Sequence, residues 1–246
     1  MKLYGLIGYP LGHSFSKQYF ADKFAMEGIH DCFYEAYPIS SIDQFPALIY
    51  DNPNLKGVNV TIPYKEQVLQ FVTQVTPQVA AIGAANCIKI EGDQLIAFNT
   101  DVLGFQRSFC QLLQPHHKKA LVLGTGGSSK AVQYVLQQLD IEFLLVTRSE
   151  NTPTGYINYD MIDEQIMQSH TVIINCSPAG MSPNDHTYPF IPYQFINSQH
   201  YLYDLVYKPA KTQFLQKGEE GGAQIQNGYE MLILQAEASW EIWNNL

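Results

Sequence analysis

Residues 120–124 (ALVLG) have the composition of a buried strand, and GTGGSS at 124–129 follows without an intervening loop. Ala131, Val132, Val135, Leu136 and Leu139 then recur at helical spacing. Strand, glycine turn and helix in this order restrict the chain to an α/β fold with a nucleotide-type crevice. A phosphate can approach the backbone only where no Cβ intrudes, and a helix N-terminus offers it N–H groups. Gly124, Gly126, Gly127, Ser128 and Ser129 are therefore the expected cofactor-binding residues. A plain tight turn would account for the glycines alone, but not for the elements on both sides of them.

The next strand, FLLVTRS at 143–149, ends where NAD-specific folds carry an acidic residue for the ribose hydroxyls. Arg148 stands there instead, and a guanidinium clamps a 2′-phosphate with two parallel hydrogen bonds. Thr147, Arg148 and Ser149 thus point to NADP, with NAD as the alternative.

The first hundred residues alternate strand and helix: strands at 3–8, 31–38 and 57–62, helices near 16–26 and 41–50. In GVNVTIPYK (57–65), Val58, Val60 and Ile62 alternate and Pro63 ends the strand, which puts Lys65 at a strand end, where α/β folds bind ligands. A partly desolvated lysine exchanges a proton near neutral pH, although a lysine taken at random is a solvated surface charge. Asp101 supplies a carboxylate to hold and orient it; its simpler role is N-cap of a helix over 102–113. Around them Asn59, Thr61, Asn86, Asn99 and Thr100 carry amides and hydroxyls that suit a polyhydroxylated ligand.

Composition narrows the class. Hydrophobic residues make up 46% of the 246 and charged ones 15%, as in an ordinary folded enzyme; a net charge of −9 without a Lys/Arg cluster argues against nucleic acid. The four cysteines have no CxxC spacing, and His116-His117 reads as solvated loop without further ligands at useful spacing, so no metal is expected. Turns are expected at Pro53-Asn54 and Thr76-Pro77, and a polar hinge at 115–119. No signal-like h-region and no run of roughly 20 apolar residues is present, which makes the expected location cytoplasmic.

NVTIPYK (59–65), AIGAANCI (81–88), NTDVLGF (99–105) and IGYPLGHSFS (7–16) together resemble the shikimate/quinate dehydrogenase family, with its NVTxPxK, GAxNT, NTDxxG and GxPxxHSxS segments. Ser14 and Ser16 take the two serine positions. GTGGSSK resembles the family's GAGGxSR, with Thr125 and Lys130 in place of its Ala and Arg and Ser128 at its variable position, and TRS stands where the family has NRT. CSPAGM (176–181), with Ser177, resembles the NATPxGM loop beside the nicotinamide and ribose. YLYDLVY (201–207) resembles YDxxYxP, with Tyr207 on the substrate side, and NGYEMLILQ (227–235) resembles DGxxMLxxQ, with Gly228 backing the nicotinamide and Gln235 bonding substrate.

The resemblance implies an N-terminal α/β substrate-binding domain (1–101 and 227–246) and a Rossmann-like, doubly wound NADP-binding domain (102–226), the C-terminal helix returning to the first. It implies an active site in an interdomain cleft. The implied reaction is the reversible, NADP-dependent reduction of 3-dehydroshikimate to shikimate, on the route to aromatic amino acids. Lys65 would pass the proton and Asp101 orient it; Ser14, Ser16, Asn59, Thr61, Asn86, Tyr207 and Gln235 would hold the substrate. Members commonly carry a second basic residue on a helix after NRT, but Pro153 and Gly155 cut that helix short here and no Lys or Arg occurs from 149 through 207. That departure keeps an NAD-dependent quinate/shikimate dehydrogenase as the alternative. A catalytically silent nucleotide-binding sensor is the alternative of another class, against which the retained Lys65 and Asp101 argue. The expected partner is a small-molecule substrate, with neither nucleic acid nor membrane, for a monomer or homodimer.

Overall fold

The computed structural model describes residues 1–11, 15–149 and 154–245. The chain divides into two compact units, Met1–Thr100 with Gln235–Leu246, and Asp101–Leu234.

In the first unit the elements are β1 (Lys2–Gly8), α1 (Phe15–Glu27), β2 (Cys32–Pro38), α2 (Phe45–Asp51, preceded by a 3₁₀ turn), β3 (Leu55–Val60), β4 (Gln74–Val75), α3 (Pro77–Ile82), β5 (Cys87–Glu91) and β6 (Gln94–Phe98). They build a mixed sheet in the order β2-β1-β3-β5-β6-β4, with β3, β5 and β6 antiparallel in turn. β1 is covered on both faces, which is why KLYGLIG is apolar almost throughout. Ile7 joins Phe45, Val58, Val68 and Ile88 in one core; Tyr4 and Leu6, at alternate positions, join Phe20, Phe24 and Trp243 in the other. Gly57 makes room for that second core: a Cβ there would lie 2.2 Å from Nε1 of Trp243, whose indole donates to the Ile88 carbonyl at 3.0 Å.

Two sequence expectations fail in this unit. β3 stops at Val60, not Ile62: Thr61 still donates to the Ile7 carbonyl, but Tyr64 N–H bonds back to the Thr61 carbonyl, and Ile62 is 64% exposed. Lys65 therefore sits in the turn after the strand. Thr76-Pro77 is no simple turn but the start of α3, with the Thr76 hydroxyl capping Val79 N–H and Pro77 at the first helical position.

The second unit contains α4 (Asp101–Phe109), β7 (Lys119–Leu123), α5 (Gly127–Gln138), β8 (Glu142–Thr147), β9 (Tyr156–Asn158), α6 (Glu164–Ser169), β10 (Val172–Asn175), β11 (Tyr201–Asp204), α7 (Gln213–Glu220) and β12 (Gln224–Gln226). Its sheet is parallel throughout, in the order β12-β11-β10-β7-β8-β9, which is the doubly wound dinucleotide-fold order. Leu121, Val146, Ile173, Leu202 and Phe214 form its core.

Helix α8 (Tyr229–Asn245) begins in this unit and finishes in the first. The border falls inside α8, later than the expected 227. Glu230 in its first turn accepts from Gln111 and Gln226, whereas Gln235 and Ser239 bond to Asn86 and Asn59. α4 runs from Asp101 to Phe109, so it ends short of Leu113. β11 ends at Asp204 and not at Tyr207, because the Asp204 carboxylate turns back to accept from Val206 N–H at 3.0 Å.

The His116-His117 pair is not simply solvated loop. His116 is exposed, but His117 is 3% exposed, with Nδ1 accepting from Gln114 N–H and Nε2 bonded to the Gln199 carbonyl. Burial lowers the pKa of His117, and likewise of His170 and His200 in the same unit. A folded-state pKa below the usual 6.5 gives stability that is present above that value and lost as pH falls through it. The urea midpoint is therefore expected to fall from pH 7 to pH 5. His117→Gln should flatten part of that slope, up to about 1.4 kcal/mol per pH unit for one proton; an unchanged slope would contradict it.

Candidate active site

The first unit gathers most of the expected substrate-binding side chains into one buried chain of hydrogen bonds. Tyr34, on β2, donates to Asn59 Oδ1 at 2.9 Å and is also bonded by the Ser16 hydroxyl of α1. Asn59 Nδ2 donates to the Asn86 carbonyl at 3.2 Å and to Ser239 Oγ at 2.9 Å. Ser239 lies 3.1 Å from the Thr100 hydroxyl, which in turn meets the Asn86 amide, and Asn86 Nδ2 reaches Gln235 Oε1 at 3.4 Å. Asn59, Asn86, Thr100, Gln235 and Ser239 are all buried, and buried amides in such a chain hold one another in fixed orientation. Both N–H groups of Asn59 are spent inside the chain, so Asn59 supports its neighbours instead of facing a ligand.

Lys65 is tied to the same frame through its backbone. Its carbonyl accepts from Ala85 N–H at 2.8 Å, while Asn99 Nδ2 donates to the carbonyl of Ala84, the preceding residue, at 2.9 Å. The Asn99 Oδ1 acceptor is buried without a partner among the described residues. Thr61 is half-buried, and its methyl group faces Gly8, where a Cβ would come within 2.5 Å of it. Lys65 is half-buried in its turn and Asp101 buried at the head of α4. Ser14 lies outside the described residues.

In the second unit β7 and β10 are the neighbours at which the strand order reverses, and the glycine turn leaves β7 at that point. Gly124 has φ +106°, open to glycine, and a Cβ on it would stand 3.1 Å from the Ser177 nitrogen, so the turn lies directly against the loop after β10. Gly126 caps α5, and around its missing side chain there is open space. Gly127 and Ser128 are half-buried at the start of that helix. The turn fits a pyrophosphate: bare backbone, a helix N-terminus and room for oxygen atoms. Ser129 is fully buried, with N–H and Oγ both bonded to the Gly126 carbonyl; it closes the turn from inside and is withdrawn from the ligand side.

Beyond β8, Thr147 Oγ1 accepts from Ser149 N–H at 3.2 Å and so shapes the turn that exposes Arg148. Of the stretch after Arg148, Glu150 to Pro153 lie outside the described residues, while Gly155 has φ +87° just before β9. Ser177 N–H and Oγ both donate to Asn175 Oδ1, at 3.0 and 2.6 Å, fixing the loop through its side chain. A Cβ on Gly228 would stand 2.2 Å from the Leu205 carbonyl, so close backbone packing demands that glycine. Tyr207 is half-buried, and burial raises its hydroxyl pKa.

Tyr34 and Ser239 complete the substrate-side chain, and Asp204 anchors the cofactor-side loop; none was expected from sequence. Asp204 is fully buried and accepts from Asn175 Nδ2 (2.9 Å), Val206 N–H (3.0 Å) and the Thr212 hydroxyl (2.6 Å). It lay in view as the aspartate of YLYDLVY, but nothing local marks it as buried. Among the described residues no group of His, Cys, Asp and Glu could hold a metal ion, and no helix is long and apolar enough to cross a membrane.

Residues 6–88 match the family model described as shikimate dehydrogenase substrate binding domain, and they contain Ser16, Asn59, Thr61, Lys65 and Asn86. A shikimate dehydrogenase (NADP(+)) of Carboxydothermus hydrogenoformans is 33% identical over 261 aligned positions, covering 100% of this chain and 92% of that protein. Among solved structures, a chorismate mutase/shikimate 5-dehydrogenase fusion protein from Clostridium acetobutylicum superposes with a TM-score of 0.89 at 31% identity, covering 100% of this chain and 92% of that one. The shikimate 5-dehydrogenase of Thermus thermophilus, in complex with NADP(H) and shikimate, gives 0.86 at 26% identity, with 100% and 94% covered. With relatives this similar over its whole length, and with the motif residues seated as described, the chain belongs to the shikimate dehydrogenase family.

Proposed function

We propose that this protein reduces 3-dehydroshikimate reversibly to shikimate with NADPH. The observation that carries the reading is the buried Asn86–Thr100–Gln235 chain joined by backbone hydrogen bonds to the segment bearing Lys65, in a member of this family. Its amides and hydroxyls can donate or accept as a polyhydroxylated ring requires. Ser14, Ser16, Thr61, Asn86, Tyr207 and Gln235 are the proposed substrate-holding residues, with Asn59 keeping Asn86 in place. The acidic balance of the chain argues against a nucleic-acid partner; the proposed setting is the cytoplasm, away from membranes, with the protein acting on a small molecule as a monomer or homodimer.

NADP is proposed to lie on Gly124, Gly126, Gly127 and Ser128, with Ser129, Ser177 and Gly228 shaping the crevice from behind. When bound, it supplies the hydride in one direction and accepts it in the other. Lys65 donates a proton to the carbonyl oxygen as the hydroxyl forms and receives it back in reverse. Asp101 orients the ammonium. Arg148, flanked by Thr147 and Ser149, takes the 2′-phosphate.

The absence of Lys and Arg from 149 through 207 leaves Arg148 alone, which favours a second reading with looser selectivity and use of NAD. Initial rates with the two cofactors in parallel separate them. NADP should be preferred, and Arg148→Ala should lower kcat/KM for NADP about ten- to hundredfold, as loss of a charge-assisted pair worth about 1.5–3 kcal/mol predicts, while leaving NAD unchanged. Equal efficiency with both cofactors in the unaltered enzyme would establish the second reading.

A further inference from the structure

At the opposite end of the first sheet from Thr61 and Asn86, a cavity of about 380 Å³ is lined by Lys2, Tyr4, Lys56, Lys89, Glu91, Trp243 and their neighbours. Lys2 opens β1 and Lys56 lies near the start of β3, so both sit at the strand ends away from Gly8 and Val60. The length of β1 separates this cavity from the substrate-side end by about 20 Å, at about 3.3 Å per residue. It is distinct from the site described above.

Its charge runs against the composition. The chain has 14 Lys and Arg against 23 Asp and Glu, yet this cavity is lined by three lysines and a single carboxylate, Glu91. Lys89 is 6% exposed and donates to Glu91 at 2.6 Å, which leaves two of its three ammonium hydrogens for other acceptors. Lys2 and Lys56 make no ion pair among the described residues. Asp31 is the other nearby acid, acting on Tyr4 from outside the lining. Trp243, seated over Gly57 and stacked on Tyr4 with centroids 5.0 Å apart, gives the cavity a rigid wall, and Tyr4 donates to Asn244 at 3.1 Å on the same rim.

We infer that this cavity is a second ligand site, for a small phosphorylated molecule held by the ammonium groups of Lys2, Lys56 and Lys89. Ammonium groups bind phosphate as point charges, and three around one cavity suit a multivalent phosphoryl anion better than a single carboxylate. Pyrophosphate is the probe, titrated calorimetrically at constant ionic strength with saturating NADP, so that the glycine turn is already filled. Binding at one site is expected, with affinity lowered at least tenfold in Lys2→Ala/Lys56→Ala. Lys118→Ala/Lys211→Ala, which removes the same charge elsewhere on the surface, should bind as the unaltered protein does. Both lysines of the test pair are exposed, so the fold survives their loss. No binding, or equal affinity in the two double variants, would overturn the inference. Shikimate oxidation, measured alongside, keeps this outcome separate from that of the proposed reaction.

Discussion

Replacing Lys65 with alanine is expected to lower kcat about 10²–10⁴-fold, the usual contribution of a positioned proton donor, while KM for shikimate changes only a few-fold. The split follows from what remains. Asn86, Thr100 and Gln235 are joined to one another by hydrogen bonds of their own, which a shortened residue 65 leaves in place to orient the groups proposed to bind substrate. What is lost is the proton delivered as negative charge develops on the carbonyl oxygen. Near-normal kcat in the variant would remove Lys65 from the mechanism, and a rise in KM with unchanged kcat would make it a binding group only.

The second large effect is structural. Asp204→Ala strips a fully buried acceptor from three donors, Asn175 Nδ2, Val206 N–H and the Thr212 hydroxyl. Each unsatisfied buried group costs about 1–3 kcal/mol, so a loss of about 3–5 kcal/mol in denaturant unfolding is expected. Asn175 would also lose the bond that orients it, and with it the anchor of Ser177 N–H and Oγ. Asp204→Asn should cost much less.

Burial raises the Asp204 pKa to about 7, against the lowering effect of its three hydrogen bonds. For an acid with a raised folded-state pKa, the contribution to stability is present at low pH and is lost as pH rises through about 7. The stability advantage of the unaltered protein over Asp204→Asn should therefore shrink from pH 5 to pH 8. A pH-independent difference between the two would contradict it.

The parts of the fold that could be read in advance are those written in contiguous residues. The glycine turn announces itself because strand, turn and helix follow one another, and the Rossmann-type sheet follows from it. What could not be read depends on distant partners. Val60 rather than Ile62 ends β3 because Tyr64 bonds back to Thr61, and β11 stops early because the side chain of Asp204 competes for Val206 N–H. His117 is polar by sequence but buried against Gln199, far along the chain. Ser129 fits the phosphate motif, yet it faces inward to close the turn. Asn59 looks like a ligand-binding amide until Ser239, Tyr34 and the Asn86 carbonyl are found on it. Gly228 suits a cofactor contact by motif, whereas the Leu205 carbonyl explains why no side chain is tolerated there.

The most direct measurement is the initial rate of shikimate oxidation with NADP, followed by absorbance of the reduced cofactor, with quinate compared under the same conditions. Rapid turnover of shikimate and NADP, with quinate far slower, is the expected result. Binding of shikimate and NADP without turnover of either substrate would contradict the proposed reaction and leave a protein that keeps the dehydrogenase fold for sensing alone.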